Sequence, residues 1–263
     1  MLFLNEKASK VYLVLCVAGF LTFGAFSLAN GLNAATLPFA HGVVVSETGV
    51  VFVAHVPNGI DAIDLAQGKI LWHSDDADRP LAFWNSKLVA FKKTGDTSFV
   101  TVLLDSHENA RVVLTSESVM LPDWCTVAAE NNSDFATTAD VVDDHLQMRI
   151  DARGMYDGGA NPSKSIVAKY SQQQSWVAEI DLRSGRVKLS EAEQTKKPDA
   201  SILSDSVLIG GKRLEIVTTK TEQSESTDSF HKDLRALDSA TGKTLWQTAV
   251  GKVDVPHQPK LPQ

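Results

Sequence analysis

The chain has 263 residues, of which 43% are hydrophobic and 22% charged, as in a globular protein with one substantial core or two modest ones. Its formal net charge is −7, and no dense lysine or arginine cluster provides the basic surface that a nucleic-acid partner requires. Of its two cysteines, Cys16 lies in the N-terminal segment, so the rest of the chain holds only Cys125 and no internal disulfide is expected.

The first predicted element is an apolar N-terminal segment. Lys7 and Lys10 precede an uncharged stretch, 11–29, and a basic start before a long apolar run is typical of an export signal. Ser27 and Ala29 have the small-residue spacing of a signal-peptidase site, which favours cleavage. The 19 uncharged residues are also close to the roughly 20 that span a bilayer, which favours a retained anchor. Under both interpretations the rest of the chain is exported to the periplasmic, lumenal or extracellular side.

Short runs of extended character follow, and they come in pairs before each of four hairpin-like segments. These runs are 43–46 with 50–55, 81–84 with 88–91, 146–150 with 166–170, and 202–203 with 207–209. Their length and their content of β-branched and aromatic residues predict strands.

The hairpin-like segments align with one another and indicate an internal repeat. They are 59–74, 99–116, 175–191 and 232–249. In each, an apolar run ends in Asp, and Gly or Asn stands four positions later. These anchor residues are Asp64 with Gly68, Asp105 with Asn109, Asp181 with Gly185, and Asp238 with Gly242.

The anchor spacing predicts a β-hairpin in each repeat. A tight reversal usually needs one residue at positive φ, which Gly adopts without steric cost and Asn tolerates. The Asp side chain can accept hydrogen bonds from backbone amides two or three residues ahead and so stabilise the turn. We therefore predict that the anchors are structural turn residues.

Two tryptophans occupy the same place in the first and last repeats. Trp72 and Trp246 each follow the turn glycine by four residues, whereas Val113 and Leu189 hold that place in the inner repeats. A ring that buries roughly 150–250 Å² suits the seam between two packed sheets. We predict that both tryptophans dock neighbouring blades rather than stack on a ligand, and that the inner seams are thinner.

The first and last repeats also share a longer pattern, Ala-x-Asp, Gly-Lys and Leu-Trp. Its residues are Ala62, Asp64, Gly68, Lys69, Leu71 and Trp72 in the first repeat, and Ala236, Asp238, Thr241, Gly242, Lys243, Leu245 and Trp246 in the last. This pattern resembles the repeats of pyrroloquinoline-quinone-type β-propellers. The resemblance implies an all-β fold: a small, partial or degenerate propeller of four to five blades, each an antiparallel four-stranded sheet, after an N-terminal hydrophobic helix.

The same analysis divides the chain into four regions. They are a signal peptide or transmembrane anchor (1–30), a linker (31–40), the propeller repeats (41–250) and a proline-rich tail (251–263). The anchor aspartates are 41, 76 and 57 residues apart, so the second interval is long for one blade. The excess is either a fifth, eroded blade that uses 119–129 or long loops, and the polar runs 130–140 and 157–165 favour loops. The polar run 219–232 is interpreted as a hairpin tip.

The resemblance also bears on chemistry. Quinone-dependent dehydrogenases of this fold hold their cofactor in the central channel, usually with calcium bound by carboxylate and amide oxygens, and many carry a linked pair of adjacent cysteines. This chain has no adjacent cysteines, and none of the cofactor-binding positions maps onto it. We therefore predict no catalytic, cofactor-binding or metal-binding residue and no cofactor, which favours a protein that is not an enzyme without deciding the question.

Other acidic and imidazole groups are interpreted as ordinary surface residues. The acidic run 75–78 lacks the glycine and glutamate of a calcium loop, and the run 140–145 has one histidine without a second at ligand spacing. The seven histidines are scattered along the chain and no pairing among them is predicted. Cys125 is interpreted as a small buried hydrophobic residue.

The predicted function is that of a non-catalytic exported β-propeller, which acts as a protein-interaction or envelope-assembly scaffold. Its partner is then a protein at the membrane or in the envelope, and an open ring with exposed sheet edges would favour self-association. Two alternatives remain open: a quinone-dependent oxidoreductase or its accessory subunit, and a sensor propeller that binds a small ligand or a carbohydrate. Fold by itself does not decide among them.

Overall fold

The fold is described from a computed structural model, in residues 36–107, 109–132, 134–154, 173–192, 204–223 and 227–256. These ranges contain 18 β-strands and no helix, and accordingly no helix in them is long and apolar enough to cross a membrane. The predicted N-terminal segment (1–30) and the predicted strand 166–170 lie outside these ranges.

Sheet 1 is an antiparallel meander of five strands. They are β1 (Thr36–Phe39), β2 (Gly42–Val45), β3 (Val50–Ala54), β4 (Ile60–Asp64) and β5 (Ile70–Ser74). The runs GVVV and VVFVA form β2 and β3 because β-branched and aromatic side chains suit a sheet that is covered on both faces. β1 falls within the predicted linker 31–40, and it is a strand because all four of its residues pair with β2.

Sheet 2 follows, again antiparallel. Its strands are β6 (Arg79–Trp84), β7 (Lys87–Lys93), β8 (Ser98–Asp105), β9 (Val112–Thr115) and β10 (Val119–Met120). Both β9 and β10 pair with β8, so the outer strand is interrupted, and the Ser116 hydroxyl accepts a hydrogen bond from the Thr101 amide in the gap (2.9 Å). The run 119–129 therefore adds two residues to sheet 2 and does not form a fifth blade.

Sheet 3 has four strands. They are β11 (Phe135–Val142), β12 (His145–Arg153), β13 (Gln173–Asp181) and β14 (Val187–Glu191). The interpretation of 130–140 as a loop is wrong for its second half, because β11 pairs with β12 along its whole length. The physical reason is a period of two: Phe135 and Thr137 are buried, and Ala136 and Thr138, which alternate with them, are only partly buried.

Sheet 4 also has four strands, three of which are long. They are β15 (Ser206–Ile209), β16 (Lys212–Gln223), β17 (Thr227–Asp238) and β18 (Thr244–Pro256). The predicted tail begins too early, because residues 251–256 belong to β18 and pair with β17 as far as Pro256. Most of the polar run 219–232 continues β16 and β17 as an extended arm of paired strands.

Three clusters of buried hydrophobic side chains join the sheets in the spatial order 4–1–2–3. Representative members are Val44 and Leu214 between sheets 4 and 1, Phe52 and Phe83 between sheets 1 and 2, and Phe91 and Phe135 between sheets 2 and 3. None of these three clusters joins sheets 3 and 4. The first strands of sheets 1, 2 and 3 all line one cavity, which places it at the axis of the arrangement.

Successive antiparallel sheets around a shared axis are the architecture of a β-propeller. The all-β prediction is therefore confirmed for the described residues. They form four sheets, of which two have five strands rather than the expected four.

Candidate functional site

The anchor residues of the four repeats lie in the hairpin turns. Asp64 Oδ1 accepts hydrogen bonds from the amides of Ala66 (2.8 Å) and Gln67 (2.7 Å), and Gly68 has a φ of +72°. The equivalent residues have the same backbone geometry: φ is +49° at Asn109, +75° at Gly185 and +70° at Gly242. The aspartates at the other three turns, Asp105, Asp181 and Asp238, likewise accept backbone hydrogen bonds from the residues that follow them.

In two of these turns, hydrogen bonds lower the pKa of the aspartate. Hydrogen bonds from the Ser184 and Arg183 amides lower the pKa of Asp181, and the hydroxyl and amide of Thr241 lower the pKa of Asp238. In both cases the donors stabilise the charged carboxylate. The carboxylates therefore accept hydrogen bonds inside their own turns and are not directed at a shared site.

The two repeat tryptophans lie at seams between sheets. Trp72 Nε1 donates to the carbonyl of Ser106 in sheet 2 (3.1 Å), and Trp246 Nε1 donates to the carbonyl of Leu65 in sheet 1 (3.2 Å). The Trp246 ring lies so close to Gly68 that a Cβ there would be 2.6 Å from it. The turn glycine of the first repeat thus accommodates the tryptophan of the last.

The sequence comparison of repeats missed a third tryptophan with the same role. Trp84 Nε1 donates to the carbonyl of Asp143 (3.1 Å) and so links sheet 2 to sheet 3. It stands at the end of β6, outside the aligned hairpins, which is why the alignment gave no indication of it. At the inner seam the Glu117 amide also donates to the carbonyl of Gly185 (2.8 Å).

The cavity at the axis has a volume of about 220 Å³, and the buried Arg79 side chain forms part of its wall. Arg79 is only 4% exposed and donates hydrogen bonds to Asn131 Oδ1 and Thr137 Oγ1. Its guanidinium carbon lies 5.0 Å from the centre of the Phe91 ring. Burial lowers the pKa of Arg79 to about 10, so the side chain remains a cation at neutral pH. Within the part of the chain that the structure describes, Arg79 Nε has no hydrogen-bond partner.

These axial residues do not fit the calcium and quinone that the resemblance implies. Asn131 Oδ1 already accepts hydrogen bonds from Arg79 and from the Thr137 amide (2.9 Å), so it is not available to a cation. A buried guanidinium repels a divalent ion, and the single carboxylate in the lining belongs to Asp140. The volume is also below the roughly 300–1,000 Å³ of ordinary small-molecule sites.

A second group of polar residues lies in sheet 1, and it corrects the prediction that the histidines are unpaired. Asp61 is only 1% exposed, and its two carboxylate oxygens face His55 Nδ1 (2.7 Å) and His73 Nδ1 (2.7 Å). The two imidazole rings are 4.8 Å apart and nearly perpendicular. One candidate ligand atom from each of the three residues lies within 4.8 Å of the others.

The outer side of this cluster is completed by Asp75, whose Oδ1 lies 3.1 Å from His73 Nε2. Burial alone would lower the pKa of His73, but hydrogen bonds to Asp61 and Asp75 outweigh it and raise that pKa. Gly59 makes room for the ring, because a Cβ there would be 2.7 Å from His73 Cε1. The sequence held one indication of this cluster: the first hairpin pairs Asp61 directly with His73 across the strands.

The remaining candidate groups do not converge on a site. Asp78 Oδ2 accepts a hydrogen bond from the Lys93 amide (2.6 Å), and Asp144 forms an ion pair with Arg183 (2.6 Å). Cys125 is a buried free thiol, and burial raises its pKa to about 12, which keeps it protonated and unreactive.

The sheets and the axial cavity define the class of this protein as a β-propeller with four described blades. This confirms the β-propeller architecture that the resemblance implied. No protein-family model matches the chain, and no curated protein matches it.

Solved structures of other proteins are similar at low identity. The quinohemoprotein alcohol dehydrogenase from Comamonas testosteroni is 15% identical with a TM-score of 0.35, over 84% of this chain and 38% of that one. The WD40 domain of Toxoplasma gondii coronin is 11% identical with a TM-score of 0.33, over 78% and 42% of the two chains. The dihydro-heme d1 dehydrogenase NirN is 13% identical with a TM-score of 0.16, over 83% and 59%. This chain thus spans less than half of each of the first two proteins, and the propeller assignment rests on its own sheet topology.

Proposed function

We propose that this protein is a non-catalytic, exported β-propeller that binds a protein partner, and that the long fourth sheet is its contact element. The observation that carries the proposal is an open strand edge in that sheet. β15 pairs only with residues 212–215 of β16, whereas β16 continues for eight further residues to Gln223. Within the described ranges no strand pairs with that outer half on the side opposite β17.

The two edges of the arm differ in a way that supports a binding role. On the β18 side, Val56, which lies between β3 and β4, covers part of the edge: its amide donates to the carbonyl of Val250 (2.9 Å), and its carbonyl accepts from the Lys252 amide (3.3 Å). On the β16 side the strand reads Ile-Val-Thr-Thr-Lys-Thr over 216–221, which has high β-propensity. Proteins usually protect such edges with charge, proline or a covering segment, and an open one is a template for an added strand.

The chemistry of the edge defines the partner as a protein with an extended segment that adds to β16 as a further strand. Thr218, Thr219, Lys220 and Thr221 are exposed, so such a segment meets hydroxyl groups and one lysine. That lysine already forms an ion pair with Asp228 (2.8 Å). Backbone hydrogen bonds would then supply most of the affinity, and side chains at alternate positions the specificity.

Site-specific photocrosslinking in the native cell envelope tests this proposal. A crosslinker at Thr218 is expected to yield a discrete adduct with another protein, and Thr219→Lys is expected to reduce its yield at least ~10-fold by placing a charge on the edge. Thr244→Lys, at an exposed threonine at the start of β18, is the matched control and should leave the yield unchanged. Equal yields in both variants, or an adduct between two copies of this chain, would contradict the proposal.

The exported location is part of the same proposal and rests on the sequence of residues 1–30. Accessibility of the propeller to protease added outside sealed, right-side-out spheroplasts would test it. Cleavage only after lysis would place the propeller in the cytoplasm and remove the envelope partner from consideration.

The axial cavity favours a second candidate function, a sensor of small anions. Arg79 supplies a buried cation whose Nε has no hydrogen-bond partner among the described residues, and this matches a carboxylate or similar oxyanion better than a neutral sugar. Small dicarboxylates would then raise the melting temperature of the native protein but not of Arg79→Met. An equal shift in both would show that the anions act elsewhere.

A further inference from the structure

A second inference concerns sheet 1 and is independent of the proposed function. We propose that His55, His73 and Asp75 bind a divalent transition-metal ion such as zinc, and that buried Asp61 orients the two imidazoles for it. The first repeat hairpin pairs Asp61 with His73, but His55 and Asp75 lie outside the repeat, so the repeat pattern does not anticipate the whole site.

The first step concerns which nitrogen atoms face outward. An ionised carboxylate only accepts hydrogen bonds, so the 2.7 Å contacts of Asp61 require a proton on Nδ1 of both His55 and His73. In the neutral form of each ring the lone pair then resides on Nε2. A carboxylate that holds the far nitrogen of a histidine is the usual outer partner of a metal-binding imidazole.

The second step concerns the distance between His73 and Asp75. In that neutral tautomer, His73 Nε2 and Asp75 Oδ1 are both acceptors, yet they lie 3.1 Å apart. A cation between them resolves the conflict, and that cation is either a second proton on His73 or a metal ion. Two bonds of about 2.0–2.1 Å that meet at 90–109° separate their ligand atoms by roughly 2.9–3.4 Å, which includes the observed distance.

The third step concerns access and charge. The side chains of His55, His73 and Asp75 are 31%, 37% and 85% exposed, so an ion can reach them from solvent, whereas Asp61 is only 1% exposed beneath them. Two carboxylates beside two neutral imidazoles carry two negative charges, which a divalent ion balances. Imidazole and carboxylate without thiolate are ligands that zinc and related ions accept.

The position of the rings is fixed by the backbone as well as by Asp61. Gly59 has a φ of +109°, and a Cβ at that position would be 3.1 Å from His73 Nε2 and 2.7 Å from Cε1. Its carbonyl accepts a hydrogen bond from the His55 amide (2.8 Å), so the same loop positions both histidines. The ligands are therefore held in place before any ion arrives.

Calorimetric titration of the EDTA-treated full-length protein with ZnCl₂ tests the site. We expect one saturable equivalent in the native protein, and at least ~10-fold weaker binding in His55→Gln, His73→Gln and Asp75→Asn. Asp61→Asn should weaken binding by ~10–100-fold, as loss of an outer partner does. His107→Gln removes an exposed histidine outside the cluster and should bind zinc like the native protein.

Two results would overturn the proposal: no saturable binding to the native protein, or an equal loss of affinity in His107→Gln. Asp75→Asn changes an exposed side chain, so it remains informative if an imidazole variant fails to fold. As a second measurement, zinc should raise the melting temperature of the native protein and of His107→Gln but not that of Asp75→Asn.

Discussion

Asp61 and Asp64 show how burial decides the role of a residue. Both belong to β4, three positions apart, so they point to opposite faces of the sheet. Asp64 is partly exposed and accepts amide hydrogen bonds within its own turn. Asp61 is buried and has imidazoles at both oxygens. The repeat alignment singled out Asp64 because its role is local, whereas the surroundings of Asp61 depend on a neighbouring loop and strand.

The turn of the last repeat gives a prediction about pH. Because hydrogen bonds from Thr241 lower the pKa of Asp238 below its ordinary 3.8, the charged turn contributes stability that is present above that pH. This contribution is lost as the pH falls below 3.8 and through the folded-state pKa. Urea unfolding across pH 2–6 should show this loss in the native protein and a smaller one in Asp238→Asn, which keeps an oxygen acceptor but does not titrate.

Asp238→Ala serves as the control for the turn itself. It removes the acceptor as well as the charge, so it should be less stable than Asp238→Asn over the whole pH range. An identical pH profile in the native protein and Asp238→Asn would mean that the Thr241 contacts do not favour the charged form.

At the scale of elements, the hairpins could be predicted from the sequence and some of their neighbours could not. An Asp followed by Gly or Asn specifies a turn through contacts within five residues, so the pattern alone sufficed. β11 was missed because the polar residues Thr137 and Thr138 obscure the alternation of buried and exposed side chains along the strand. The end of β18 was missed because its proline and charged residues are typical of a C-terminal tail. Both are strands because a partner strand lies beside them, which is information about tertiary structure.

The seam between sheets 4 and 1 gives a prediction about two glycines with the same backbone. Gly68 and Gly242 have φ of +72° and +70°, but an added Cβ meets the Trp246 ring at 2.6 Å only at Gly68. Gly242→Ala should lower the free energy of unfolding by about 1–2 kcal/mol through the backbone alone. Gly68→Ala should lower it by about 1–3 kcal/mol more, because the ring must move.

Chemical denaturation of the two variants side by side measures that difference. Equal losses would show that Trp246 does not pack on the first repeat. In the sequence, Gly68 and Gly242 are equivalent, so only the contact between sheets distinguishes them.

At the scale of the whole molecule, stability is unevenly distributed. Sheets 1, 2 and 3 share two hydrophobic clusters, and sheet 4 joins sheet 1 through the third. The arm of sheet 4 extends beyond that cluster and is mostly polar. Regions with few buried apolar contacts open most readily.

Hydrogen exchange of the native protein should follow this distribution. Amides of residues 216–221 are expected to exchange at least ~100-fold faster than those of β8, which is buried and paired on both sides. Residues 227–233 of β17 are an internal control, because they lie in the same arm but between two strands. Protection at 216–221 equal to that of β8 would mean that the β16 edge is covered.

The packing of sheet 4 against sheet 1 has a consequence for folding during synthesis. The ribosome completes residues 36–74 long before residues 204–256, yet Trp246, Lys212 and Thr248 all bond to the turn at Leu65 and Gly68. Until residues 204–256 emerge from the ribosome, the apolar surface around Val44 and Val51 stays exposed to solvent. Nascent chains with exposed apolar surface are prone to aggregate. Chaperone dependence should therefore be greatest for chains that terminate before β17.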